Sequence, residues 1–170
     1  HKTEEQIRAE HATIEEKFMA ATFPEEIAER LEDLIEKAGD RPMIVRSSSL
    51  LEDNFGHSFA GKYESVFCPN QGTREKRLEN LLKAIKTVYA SAMSKEALLY
   101  RKYRGVLDRD EQMPLLIQRV SGMPKGCYYY PQLSGIGFSF NPYAWNRNID
   151  PKAGMLRLVY GMGTRAVDRS

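Results

Sequence analysis

Ile7, Ile14 and Phe18 recur at helical spacing with His11 between them, so residues 3–20 predict an amphipathic helix with His11 on or beside its buried stripe. Pro24 then opens a second helix with Glu25 and Glu26 in its first turn, and Ile27, Leu31, Leu34 and Ile35 carry a buried face as far as Gly39. After Pro42 the period changes. Met43-Ile44-Val45 is a short, partly β-branched apolar run and predicts a buried strand ending at Arg46 and three serines. Residues 50–62 read as a loop and 63–67 as a further strand. Gln71-Gly72 breaks the chain before a helix carrying Leu78, Leu81, Leu82, Ile85 and Tyr89, and another helix runs from Ser94 toward Gly105. These two are expected to form a helical pair. The last third changes character, with strands predicted at 114–120, 127–130, 135–140 and 155–160. Helices gather early and strands late, which favours an α+β fold with N-terminal helices, a helical pair in the middle and an antiparallel or mixed sheet toward the C-terminus.

Length and composition narrow the class. The 170 residues, 42% apolar and 28% charged, suit one ordinary domain with a hydrophobic core. A formal net charge of +2 from 25 basic and 23 acidic side chains gives no whole-chain attraction to nucleic acid or membrane, so any basic site is local. Cys68 and Cys127 stand far apart without CxxC or Cys/His spacing, which argues against a disulfide framework or a zinc site and fits a reducing cytoplasm. No apolar run approaches bilayer length, and the polar start His1-Lys2-Thr3-Glu4-Glu5 lacks the core of a signal peptide. The charged, helix-like opening and the stop at Arg169-Ser170 lead to the expectation of one partial domain over residues 1–170, truncated at both ends.

The chemistry concentrates after the first strand, where Arg46-Ser47-Ser48-Ser49 leads through Glu52-Asp53 to Ser58-Phe59-Ala60-Gly61-Lys62-Tyr63-Glu64-Ser65. A strand delivers a guanidinium fork into a cluster of hydroxyls, and a glycine follows where backbone N–H groups can approach a ligand closely. Such a loop suits a polyphosphate. The plainer reading is an Arg46 paired with Glu52 or Asp53 and serines capping a turn.

The same stretch resembles the signature of the PEP/pyruvate-binding, ATP-grasp domain shared by phosphoenolpyruvate synthase, pyruvate phosphate dikinase, rifampin phosphotransferase and glucan water dikinase. That signature runs V-R-S-S, then E-D, then S-F-A-G followed by an acidic residue and a hydroxyl. Residues 84–91, Ala-Ile-Lys-Thr-Val-Tyr-Ala-Ser, are similar to the family's A-I-K-x-V-W-A-S helix, and residues 97–104 to its A-x-x-Y-R block. Ile117-Gln118-Arg119-Val120, Ser134-Gly135-Ile136-Gly137-Phe138-Ser139-Phe140-Asn141-Pro142 and Gly161-Met162-Gly163 are similar to its V-Q-x-M, S-G-V-x-F-T-x-N-P and G-L-G blocks.

The resemblance implies an ATP-grasp-like fold and an ATP-binding role. It implies that Arg46 binds phosphate, that Gly61 and Ser65 belong to the loop closing over the phosphates, and that Gln118, with Arg119 and Val120, lies beside the adenine. Lys62, where relatives often carry Gln, would add charge near the phosphates or simply be a solvated lysine. The parent would use ATP with Mg2+ to phosphorylate a histidine on a separate swivelling domain, which passes the phosphoryl group to pyruvate or another acceptor on a third domain. No residue of this chain is expected to be catalytic, and the chain alone is expected to turn over nothing.

Departures from the family pattern open an alternative. The upstream G-G-K-x-x-x-L block, the downstream carboxylate set and the Q-x-R block are not in this sequence, and nothing in it matches the family's metal-binding carboxylates. Thr164 stands where relatives usually have Glu, and a tyrosine-rich segment, 123–133, precedes the S-G-I block. These favour, as the second reading, a degenerate ligand-binding or regulatory module without catalysis. Tyr128-Tyr129-Tyr130 and Trp145 resemble a base-stacking platform, yet sheet packing explains them more simply. His11, His57 and Cys68 have no nucleophile, base and orienting residue around them in sequence, and the family's phosphorylated histidine belongs to another domain.

Overall fold

The computed structural model describes residues 4–49, 61–107 and 112–163. The chain separates into two compact units, residues 1–120 and 121–170. The Glu52-Asp53 pair, the Ser58-Phe59-Ala60 stretch, His57 and Thr164 lie outside the described residues.

In the first unit the predicted helices form where the apolar spacing placed them. Helix α1 spans Glu4–Ala20 and α2 spans Glu25–Ala38. Pro24 precedes α2 with φ −55 and offers no capping side chain, so Glu25 and Glu26 alone complement the positive end of the helix. Strand β1, Met43–Ser47, lies at the centre of a three-stranded antiparallel sheet, with β2, Ser65–Cys68, on one side and β3, Leu115–Arg119, on the other. Between β2 and β3 come α3, Arg74–Ser91, and α4, Lys95–Tyr103. Thr73 and Ser94 cap these two helices, their hydroxyls accepting from the Lys76 and Ala97 N–H groups.

Helix α3 packs on β1, β2, α1 and α2, and α4 lies against α1. The expected helical pair of α3 with α4 is therefore not the main packing. Leu81, Ala84, Ile85 and Val88 give α3 a broad apolar face that the sheet and the N-terminal helices bury. Ile35, Met43, Val45, Leu81, Val88 and Ala97 are the fully buried centre of this core.

A polar knot closes the end of α2. Asn70, 2% exposed and at φ +56, donates through Nδ2 to the carbonyls of Gly39 (2.7 Å) and Arg41 (3.0 Å), while its Oδ1 accepts from Arg77 Nε at 2.9 Å. Arg77 Nη2 also donates to the carbonyls of Ile35 and Gly39. The last carbonyls of α2, which have no partner within the helix, are satisfied by α3 and the turn before it.

Among the described residues, the second unit contains two antiparallel ladders. Strands β4, Met123–Lys125, and β5, Tyr128–Tyr130, form one, and β6, Leu133–Phe138, and β7, Met155–Tyr160, form the other. β4 was not foreseen. Gly126 at φ +63 begins the two-residue turn to β5 and makes the hairpin possible despite Pro124 in the first strand. Gly135 faces Leu158 across the second ladder, and a Cβ at Gly135 would meet the Arg157 carbonyl at 2.4 Å. Gly135 of the S-G-I-G block is thus required by strand contact. Ser134 Oγ donates to the Gly161 carbonyl at 2.6 Å, joining that block to Gly161-Met162-Gly163.

The two cysteines differ in access. Cys68 is buried, and burial pushes its thiol pKa up, whereas Cys127 is exposed on the β4–β5 turn. A maleimide at neutral pH is expected to label one thiol, Cys127, in the folded protein and the second only after denaturation. Rapid labelling of both in the native state would contradict the packing of β2. Among the described residues, no helix is long and apolar enough to cross a membrane.

Candidate functional site

Strand alternation determines where Arg46 points. Met43, Val45 and Ser47 are buried on the core face of β1, which leaves Ile44 and Arg46 on the other face. In the register, Arg46 is opposite Ser65 on β2 and Leu116 on β3, while Ile44 is opposite Phe67 and Gln118. Ile44, Arg46, Ser65, Phe67, Leu116 and Gln118 therefore share one face of the sheet, and all but Ile44 are exposed. Directly opposed residues lie with their Cβ atoms about 5 Å apart, so a single phosphate group can reach Arg46 and Ser65 together. Among the described residues nothing forms an ion pair with Arg46.

Phe67 and Leu116 were not among the residues singled out from the sequence. Their parity with Ser65 and Gln118 was the available signal. They add apolar surface on either side of the central strand, the kind of surface on which a flat base can lie.

The register also shows which main-chain groups are free. Val120 N–H donates to the Pro42 carbonyl at 2.8 Å and Ser48 N–H to the Pro114 carbonyl at 2.9 Å. In an antiparallel ladder hydrogen-bonded residues alternate, so Leu116, Gln118 and Val120 turn their N–H and C=O groups toward β1. Ile117 and Arg119 turn theirs to the outer edge of β3, which no strand pairs among the described residues. If strand backbone reads a base edge here, Ile117 and Arg119 do so, while Gln118 contributes its side chain and the Val120 N–H is already engaged.

That edge borders a hollow of about 580 Å3 lined by Arg30, Asp33, Leu34, Lys37 and Ala38 of α2, by Met43, and by Ile117, Gln118 and Arg119. Its size is within the usual range for small-ligand sites. Leu34, Ala38, Met43 and Ile117 make an apolar floor, and Arg30, Lys37 and Arg119 bring positive charge to the rim. Arg30 also pairs with Glu26 at 2.7 Å, an exposed contact that contributes little.

Gly61 and Lys62 sit elsewhere. They line a second hollow, of about 430 Å3, with His11 and Glu15 of α1, with Glu64 just before β2, with Thr87, Ala90 and Ser91 of α3, and with Ser94 and Glu96 at the start of α4. None of the six residues of the exposed sheet face lines it. The structure thus brings Arg46, Ser65 and Gln118 together on one face, keeps Val120 at the end of the same strand, and places Gly61 and Lys62 in the helical layer. His11 Nε2, in this second hollow, is buried and has no hydrogen-bond partner among the described residues. Among the described residues no three His, Cys, Asp or Glu side chains converge to hold a metal ion.

Known proteins provide an independent comparison. The chain is 28% identical to rifampicin phosphotransferase of Streptomyces sviceus over 150 residues, covering 86% of this chain and 15% of that protein. It is 28% identical to rifampicin phosphotransferase of Bacillus cereus over 137 residues, 80% of this chain and 14% of the relative. An uncharacterised phosphotransferase of Bacillus subtilis, YvkC, is 27% identical over 164 residues, 95% of this chain and 18% of its own length. The chain spans less than a fifth of each of these relatives. The profile of the pyruvate phosphate dikinase AMP/ATP-binding domain matches residues 1–170, and the chain belongs to that family.

Proposed function

We propose that this chain supplies one wall of the nucleotide pocket of an ATP-dependent phosphotransferase of the dikinase type. The observation that carries this reading is the exposed Arg46, without an ion pair among the described residues, at the centre of a sheet face it shares with Phe67, Leu116 and Gln118 and directly opposite Ser65. Arg46 and Ser65 would bind the phosphates, and Gln118 and the outer edge of β3 would face the base. Lys62 would add charge from the second hollow. Mg2+ would neutralise the phosphates and be held by residues elsewhere in the parent protein. The nucleotide would phosphorylate a histidine on a swivelling domain of the same parent, which would then phosphorylate pyruvate or a related acceptor.

A second reading of the acceptor is favoured by the relatives' names, since three of those found are rifampicin phosphotransferases. The acceptor would then be a hydroxyl of a large organic molecule instead of pyruvate. A third reading keeps the ligand site and drops the chemistry, leaving a regulatory module.

These separate in one assay on the complete protein, supplied with ATP and Mg2+ and with either pyruvate or rifampicin as acceptor. AMP formation that depends on pyruvate is the expected result for the dikinase reading. Dependence on rifampicin transfers the assignment to the second, and no nucleotide consumption with either acceptor leaves the non-catalytic module.

A further inference from the structure

Lys62 makes no ion pair among the described residues, although Glu15, Glu64 and Glu96 line the same hollow. Its ammonium instead lies over the ring of Tyr100 in α4, 5.8 Å from the ring centre. Tyr100 is itself held on three sides. Its ring is half-buried against the hydrophobic core, and its hydroxyl accepts from Arg104 Nε at 3.0 Å and Nη2 at 2.9 Å. The Arg104 guanidinium also lies 5.1 Å from the same ring centre.

An aromatic seat differs from a carboxylate partner in one useful respect. A salt bridge would fix Lys62 but cancel its charge and occupy its N–H donors, whereas a ring face attracts the ammonium and leaves the charge and most donors available. Gly61, at φ +74 with open space where a Cβ would stand, sets the direction in which the chain enters Lys62. We propose that Tyr100 is a positioning residue for Lys62, braced by Arg104, that presents the ammonium, which has no ion pair among the described residues, to an anionic ligand entering the second hollow. This rests on the reading above that the ligand is a nucleotide and that Lys62 serves its phosphates.

The test uses the complete protein and ATP, with Lys62→Ala, Tyr100→Leu, Tyr100→Phe and the double variant Lys62→Ala/Tyr100→Leu. Tyr100→Leu is expected to weaken ATP binding about threefold to fivefold, the scale of an exposed cation–π contact. Tyr100→Phe, which keeps the ring, should restore binding to within about twofold of the starting protein. In the Lys62→Ala background Tyr100→Leu should add no further loss. The ring-current shift of the Lys62 ε-methylene protons reports the contact separately and should vanish in Tyr100→Leu and persist in Tyr100→Phe. Additive losses in the double variant, or an unchanged Lys62 shift in Tyr100→Leu, would overturn the positioning role. If Lys62→Ala leaves ATP binding unchanged while the shift behaves as expected, the phosphate role of Lys62 fails and Tyr100 is reduced to a packing contact.

Discussion

Replacing Arg46 with alanine is expected to lower ATP turnover of the complete protein by about two to three orders of magnitude while moving the melting temperature by less than about 2 °C. The two halves of this expectation have separate origins. Arg46 points away from the core, is exposed and has no ion-pair partner among the described residues, so its removal leaves no buried group unsatisfied. Met43 and Val45, 1% and 0% exposed, continue to anchor β1. A guanidinium that forms two charge-assisted bonds to a phosphate contributes about 3–4 kcal/mol to binding, and that loss corresponds to a hundredfold or more. Arg46→Lys keeps the charge and loses the fork, so it should recover part of the activity, to within about tenfold. The check is a steady-state assay beside a thermal melt on each variant. Unchanged turnover in Arg46→Ala would remove the exposed sheet face from the nucleotide site, and a large fall in melting temperature would show that Arg46 acts through the fold.

The largest stability effect is expected at Asn70. Asn70→Ala should destabilise the first unit by about 3–5 kcal/mol, because three consequences add. The Arg41 carbonyl loses the Asn70 donor and the Gly39 carbonyl one of its two, Arg77 Nε loses its acceptor inside the protein, and alanine must adopt a left-handed backbone that costs about 1–2 kcal/mol. Asn70→Gly removes the same hydrogen bonds but tolerates φ +56, so it should be about 1 kcal/mol less damaging than alanine. Urea unfolding of the three proteins measures both differences. Equal stabilities of Asn70→Ala and Asn70→Gly would show that the backbone at this position carries no strain, and a loss below about 1 kcal/mol for either would show that water replaces the knot.

Much of this architecture was legible locally. The offsets of Ile27, Leu31, Leu34 and Ile35 defined α2, and Leu81, Ile85 and Tyr89 defined α3, because helical periodicity belongs to a segment and needs no partner. β7 was foreseen at its observed ends, Met155 and Tyr160, from its apolar alternation. β4 escaped because Met123-Pro124-Lys125 has no alternation to read and depends on the turn at Gly126. Which helix α3 packs against was also hidden, since an apolar face does not name its partner. The same division applies to the site. The position of Arg46 at the end of an apolar run was visible in sequence, but its juxtaposition with Ser65 and Leu116 depends on register between distant strands. The seat of Lys62 on Tyr100 and the hollow between α2 and β3 are likewise products of tertiary packing that no local spacing encodes.

The alternation along β1 has a consequence for how this domain can vary in length. Odd-numbered residues 43, 45 and 47 hold the core, while 44 and 46 lie on the opposite face. Deleting one residue ahead of Arg46, with the register before it kept, would bring the guanidinium to the position of Val45, and inserting one would bring it to the position of Ser47; either change turns a core side chain onto the outer face. Loss of one residue would therefore take Arg46 off the outer face and disturb the core together, whereas loss of two would restore the parity and shift the face by one step. Insertions and deletions among descendants of this sequence should accordingly avoid β1 and its two partner strands and collect in the connections, where chain length and side-chain facing are independent.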